Sequence, residues 1–341
     1  MKKILLYEFK RNLLPLVIFS VISVALCVIF PMSVMLSDSQ GNPINSCLGM
    51  FVPVLCVLCS VTPVMQCSYR MRRRSVDLWY SVPVSRKQLL FVRTLIGLAL
   101  ALIPYTLGYW LGAMVVALRA SVSFIWYLPC FAVTLLLGVG LYGVNAFLFT
   151  RANTIGDGLF FVAAWACILP AVLAAMASLG WDFVYRPFVG GVSLQRLSDT
   201  VFTYSGMAWG VTPFEYFICA DAIDYETCVR ACVASVLAVL EAVAAYVLLF
   251  VRADRDQAED AEQISLSWWG YRILIPVYVV CLMCFIPPDF RWDNIFLMAI
   301  VLVGAFIGFF AYRRSFRLQR SDFISIGATY AVGILLMLIG G

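Results

Sequence analysis

Long apolar runs separated by short polar clusters dominate the chain. About 20 consecutive apolar residues in an α-helix cross the hydrocarbon core of a bilayer. Runs of that kind predict spans at Leu13 to Leu36, Cys47 to Cys67, Phe91 to Leu118, Phe124 to Phe149 and Gly158 to Gly180. Further spans are predicted at Cys228 to Val251, Trp268 to Pro287, Asn294 to Tyr312 and Phe323 to Gly340. The seventh run contains Arg272 and Pro276 and stops at Pro287-Pro288, which makes it the weakest of the nine. The first is too long for a signal-peptide core and lacks a small-x-small cleavage site, so it reads as a retained span. The expected fold is therefore all-α: a polytopic helical membrane bundle of about nine transmembrane helices.

Composition agrees with that reading. Of 341 residues, 63% are hydrophobic and 13% charged, against about 45–50% and about 25% in soluble domains. There is no histidine. A Ser-His-Asp triad, an HExxH zinc site and a histidine-ligated haem are thereby excluded from this chain alone. A net charge of +5 gives no reason to expect a nucleic-acid partner. Of the twelve cysteines, only Cys47, Cys219 and Cys228 lie at or beyond span ends; the others sit in apolar runs as small hydrophobes.

Basic residues set the orientation. With a cytoplasmic N-terminus, only Arg119, Arg186, Arg196, Arg230 and Arg291 of the 24 basic residues fall outside. Cytoplasmic loops carry such an excess. The expectation is a multi-pass protein of the bacterial plasma membrane, with the N-terminus cytoplasmic and the C-terminus extracytoplasmic. The outer loop 181–227 holds eleven aromatic residues and fits either a segment in the headgroup layer or a small folded cap. Inside, KKILLYEFKR mixes apolar and basic residues and predicts a short helix on the membrane surface. The stretch Arg252 to Gln263 reads as a solvated linker or a helix extension.

Residues 68–90, SYRMRRRSVDLWYSVPVSRKQLL, hold most of the functional signal. Arg72, Arg73 and Arg74 form a basic run. Ser75 predicts an N-cap for a short helix through Val76, Asp77, Leu78, Trp79 and Tyr80, which Pro83 ends. Ser85 reads as a fresh N-cap, with Gln88 completing a capping box. The result is a short transverse helix, a break and a re-entry helix, a shape suited to docking a soluble partner. A basic loop that merely anchors orientation is the alternative.

The run Asp77, Leu78, Trp79, Tyr80, Ser81, Pro83, Ser85, Arg86, following the basic run, resembles the loop between the second and third spans in permease subunits of the type-2 ABC exporter family. Val82 departs mildly, standing where leucine is usual. The resemblance implies that this loop carries the coupling helix, with Arg72 to Arg74 and those eight residues contacting a separate ATP-binding subunit. YEFKR is similar to the family's opening helix, and loop 181–227 lies where the family places a re-entrant element. The resemblance implies a six-span core over residues 1–251 and an extension with three further spans over 252–341. Expected partners are the ATP-binding subunit, a second permease (the same chain or a sister) and membrane lipids. ATP and Mg²⁺ belong on the partner, since this chain has no GxxxxGK[ST] loop. No catalytic, cofactor-binding or metal residue is expected here, and the chain is a transport subunit rather than an enzyme.

Glu241 is the one acid deep in an apolar run, which makes it a functional candidate for the substrate path; a neutralised or hydrogen-bonded structural acid is the alternative. Ala238, Ala244 and Ala245 share its face, and Arg230 lies about three turns earlier. Gly138, Gly140 and Gly143 spell GxGxxG mid-span, where packing explains them better than a dinucleotide. Gly108/Gly112 and Gly304/Gly308 are GxxxG pairs, a helix-contact pattern. The pairs Cys56/Cys59 and Cys281/Cys284 each form one helix face, and a thiolate site there would bury charge in hydrocarbon. Two other functions compete: an ion-coupled secondary transporter, which wants intramembrane acids, and an intramembrane lipid-modifying enzyme, for which Asp221 and Asp224 are outer candidates.

Overall fold

A computed structural model describes residues 2–37, 43–81, 84–120, 127–180, 225–253, 258–265, 267–288 and 291–340. Among them the regular structure is helical, without a strand. The helices are α1 (Lys2–Arg11), α2 (Leu13–Ser37), α3 (Pro43–Cys67), α4 (Arg73–Tyr80), α5 (Arg86–Ala120), α6 (Tyr127–Thr150), α7 (Ile155–Ser178), α8 (Tyr225–Val251), α9 (Tyr271–Cys284), α10 (Trp292–Arg313) and α11 (Arg320–Gly340). The aromatic loop expected over 181–227 lies outside the described residues up to 224.

Among the described residues, each of the nine apolar runs lies wholly or in part on a helix. Six segments among the described residues are long and apolar enough to cross a membrane: Phe51–Met71, Arg86–Leu118, Phe131–Thr150, Ile155–Ser178, Trp292–Arg313 and Arg320–Ile339. A seventh is Lys3–Arg11 with Leu13–Ile29, if that pair, bent by 52°, counts as one. Ala238–Val251 and Tyr271–Cys284 are apolar but shorter. For α9 the reason is local. The chain turns at Gly270, whose N–H donates to the Ser267 carbonyl, and it leaves the helix at Phe285. Its 14 residues extend about 21 Å, less than the about 30 Å of hydrocarbon.

Two broad apolar clusters run through the described part of the bundle, with smaller ones beside them. One joins α2, α3, α5, α6 and α8 around Phe51, Tyr105, Tyr109 and Tyr142. The other centres on α7, α9, α10 and α11, with Phe161, Tyr271, Leu274 and Phe309. Helix α7 precedes residue 251 in sequence yet packs against α9 as well as α6.

Glycines set the closest helix approaches. A Cβ at Gly108 would lie 2.9 Å from the Ser23 carbonyl oxygen, and one at Gly112 would lie 2.5 Å from that of Cys27. That pair lets α5 lie directly on the α2 backbone. Gly304, by contrast, has nothing within 4 Å of its added Cβ. Of the GxGxxG residues, Gly138 meets Leu55 and Leu102, Gly140 meets Ala242 and Gly143 meets the Tyr246 ring. These are helix contacts. Gly112→Leu is expected to lower the thermal midpoint of the purified protein by the equivalent of about 1–3 kcal/mol, while Gly304→Leu stays within about 0.5 kcal/mol. Tryptophan fluorescence on heating reads both, and equal midpoints would contradict the assigned contact.

Candidate functional site

The loop after α3 folds as a 3-10 turn, Ser68–Met71, followed by α4. Ser75 does not cap α4. The helix starts two residues earlier, with Arg72 extended at the cap position and the Ser75 N–H donating to the Arg72 carbonyl at 2.9 Å. Ser85 does cap α5, accepting from the Gln88 N–H at 3.3 Å. Val82 and Pro83 lie outside the described residues.

An ion pair buried at the root of this loop fixes α4 against the bundle. Arg93 of α5 is 1% exposed and donates through Nη2 to Oε1 of fully buried Glu8, on α1, at 3.1 Å. Its Nη1 donates to the Gln66 carbonyl at 3.1 Å. Gln66 in turn donates to the Asn12 side chain at 3.0 Å, and Asn12 donates to the Glu8 carbonyl at 2.7 Å. The guanidinium lies over two rings, 3.9 Å from the Tyr69 centroid and 4.1 Å from that of Trp79. Arg11 approaches Trp79 from the other helix, at 5.1 Å. Trp79 is thus turned toward the bundle, sharing α1 and α5 cations. Cation–π contacts of this kind, withdrawn from water, contribute up to about 2 kcal/mol each.

The other flank of α4 meets the chain after α8. Arg73 forms an ion pair with Glu262 at 3.8 Å, and its Nε donates to the Ala261 carbonyl. Residues 258–263 are therefore pinned rather than simply solvated: Ala261 is buried, and the Glu262 N–H donates to the Asn153 carbonyl at 3.0 Å. Next to them lies a second polar knot. Asp157 Oδ2 accepts from Ser265 at 2.8 Å and from Arg314 at 3.0 Å, and Oδ1 accepts from Tyr271 at 2.9 Å. Thr154 caps α7 by accepting from the Asp157 N–H. One carboxylate thus ties α7 to the segment before α9, to α9 itself and to the turn after α10.

The remaining side of α4 is open. Arg74, Asp77, Leu78 and Ser81 are exposed at the i, i+3, i+4, i+7 spacing of one helix face, and Leu78 is 65% exposed. Val76 is buried, Trp79 and Tyr80 are half-buried, and Arg86 stacks over Tyr80 at 4.8 Å. Arg72 and Ser85 are exposed at the two ends of the element. The residues singled out in the sequence therefore divide between an outward stripe and an inward anchor. The neighbouring cavity, bordered by Arg70, Tyr80, Asn153 and Asp260, has only about 30 Å³. Small-molecule sites run to about 300–1,000 Å³, so this region offers a surface rather than a pocket.

Glu8, Gln66, Asp157 and Ser265 were not singled out by sequence reasoning. The Thr154-x-x-Asp157 spacing at the head of an apolar run is a capping signal that points to one of them. Glu241 lies far from α4 in sequence and is exposed on α8; the Arg230 side chain lies outside the described residues. Cys59 donates to the Gly138 carbonyl at 3.4 Å, an α3–α6 contact. Among the described residues no group of three or more metal-ligating side chains occurs. No protein-family model, curated protein or solved structure matches the chain.

Proposed function

We propose that this chain is the membrane-spanning permease subunit of an ATP-driven exporter of the type-2 ABC kind. It works in a bacterial plasma membrane with a second permease, identical or sister, and with separate ATP-binding subunits that hold ATP and Mg²⁺. The carrying observation is α4: a short helix braced from behind by the Arg93–Glu8 pair and from the side by Arg73–Glu262, with Arg74, Asp77, Leu78 and Ser81 facing out. A helix rooted in α1 and α5 transmits a push to both as a rigid body. Closure of the ATP-bound pair shifts α4, and the bundle moves between inward- and outward-facing arrangements. In this reading nine segments cross the membrane, the short α9 completed by the chain on either side of it, with residues 1–251 as a six-span core and 252–341 adding three. The Asp157 knot couples the added helices to the core at the same end.

The N-terminus, α4 and the turn at Arg314 then face the cytoplasm, the side favoured by basic residues. Orientation has a direct readout. With the remaining cysteines replaced, Cys47 is expected to react with an impermeant maleimide added to intact cells; labelling only after permeabilisation would reverse the topology. The function itself is tested by co-expressing the full chain with candidate P-loop ATPases, any encoded beside it first, and co-purifying the two. A stable complex whose ATP hydrolysis depends on this chain supports the reading, and transport by the chain with no ATPase present would replace it with an ion-coupled carrier.

A further inference from the structure

Among the described residues each buried acid elsewhere has a cationic partner, although Glu8 Oε2 itself accepts no hydrogen bond. Glu8 meets Arg93 and Arg11, Asp157 has Ser265, Tyr271 and Arg314, and Asp322 takes two bonds from Arg313. Glu241 differs. Among the described residues its carboxyl has no hydrogen-bond or ion-pair partner, although it lies within the apolar segment Ala238–Val251. Helix α6, on which α8 packs, carries no charged residue at all. An ionised carboxyl in an apolar membrane segment is costly, so a partner from outside the chain lowers its free energy.

The surroundings specify the partner's chemistry. Val239, Leu240, Val243 and Val247 are each more than half exposed on α8, and Ala244 beside them is exposed and small. Glu241 lies at the margin of this apolar face, next to the side that Ala242 and Tyr246 press onto α6. An inorganic cation would need several oxygen ligands, and valine, leucine and alanine supply none. A second copy docked by two-fold symmetry across this face would bring like carboxyls together. A cation with an apolar body satisfies both requirements, placing charge at the carboxyl and carbon against Ala244 and Leu240, the exposed apolar residues nearest to it around the helix. We infer that Glu241 and the adjoining α8 face bind lipophilic organic cations, which would make such cations the substrate class of the exporter proposed above, on which that last step rests.

The test uses the full-length chain in zwitterionic lipid nanodiscs, without any ATPase, and two probes of matched shape: tetraphenylphosphonium and tetraphenylborate. Tetraphenylphosphonium binding is expected to weaken roughly tenfold or more in Glu241→Gln and to be largely kept in Glu241→Asp. Tetraphenylborate binding should not follow the substitution. Equal tetraphenylphosphonium binding by the wild type and Glu241→Gln, or weakening of both probes alike, overturns the inference. Because no ATPase is present, that failure leaves ATPase docking through α4 standing, and loss of docking with binding intact removes only the exporter reading.

Discussion

Arg93→Ala is expected to cost about 3–5 kcal/mol, the range for breaking a buried pair from one side. The substitution leaves the fully buried Glu8 carboxylate with only the half-exposed Arg11, 3.6 Å away, as a counter-charge. It also empties the space between the Tyr69 and Trp79 rings. A domain's whole stability is about 5–15 kcal/mol, so little folded protein should survive extraction. Arg93→Lys keeps the charge but loses the planar fork and its stacking, and should fall between. Glu8→Gln combined with Arg93→Met removes both charges and should be milder than Arg93→Ala alone. Monodisperse yield and thermal midpoint in detergent read the order. If Arg93→Ala melts with the wild type, the ion pair does not anchor α1, α4 and α5 together.

The second large effect is on assembly. Asp77→Lys with Leu78→Glu places opposite charge and a buried-charge penalty at the centre of the outward stripe. Central interface positions cost about 2–4 kcal/mol when disrupted, or roughly 30- to 1,000-fold in affinity. Co-purifying ATPase should vanish while yield and thermal midpoint hold, because neither side chain packs into the bundle. Trp79→Ala is the matched contrast. Trp79 stacks on Arg93 and lies 6.3 Å from Tyr69, so its loss should lower the thermal midpoint first. ATPase retained by the Asp77/Leu78 variant, with Trp79→Ala releasing it at unchanged stability, would place the docking surface on the other side of α4.

Local patterns were the legible part of this chain. Apolar runs located the helices because the hydrocarbon requirement acts on consecutive residues. The Ser85 cap was readable because the bond it makes closes within three residues. Ser75 misled for the same reason: a capping residue type was present, but α4 begins at Arg73, where Arg72 turns extended. What stayed hidden was long-range pairing. Glu8 and Arg93 are 85 residues apart, and the Asp157 partners lie 108, 114 and 157 residues away. Nothing in the spacing of those residues marks them as partners, because the packing of helices, not local sequence, brings them together. The inward turn of Trp79 was hidden too, since an aromatic residue on a basic loop looks alike whether it faces a partner or an arginine behind it.

The proposed docking through α4 is tested most directly by site-specific photo-cross-linking of the full chain reconstituted with an ATPase that co-purifies with it. A photoreactive residue at Leu78 should cross-link to the ATPase, whereas one at Phe316, exposed on the turn after α10, should do so far less. Cross-linking from position 316 with none from position 78 would contradict the assignment of α4 as the docking helix.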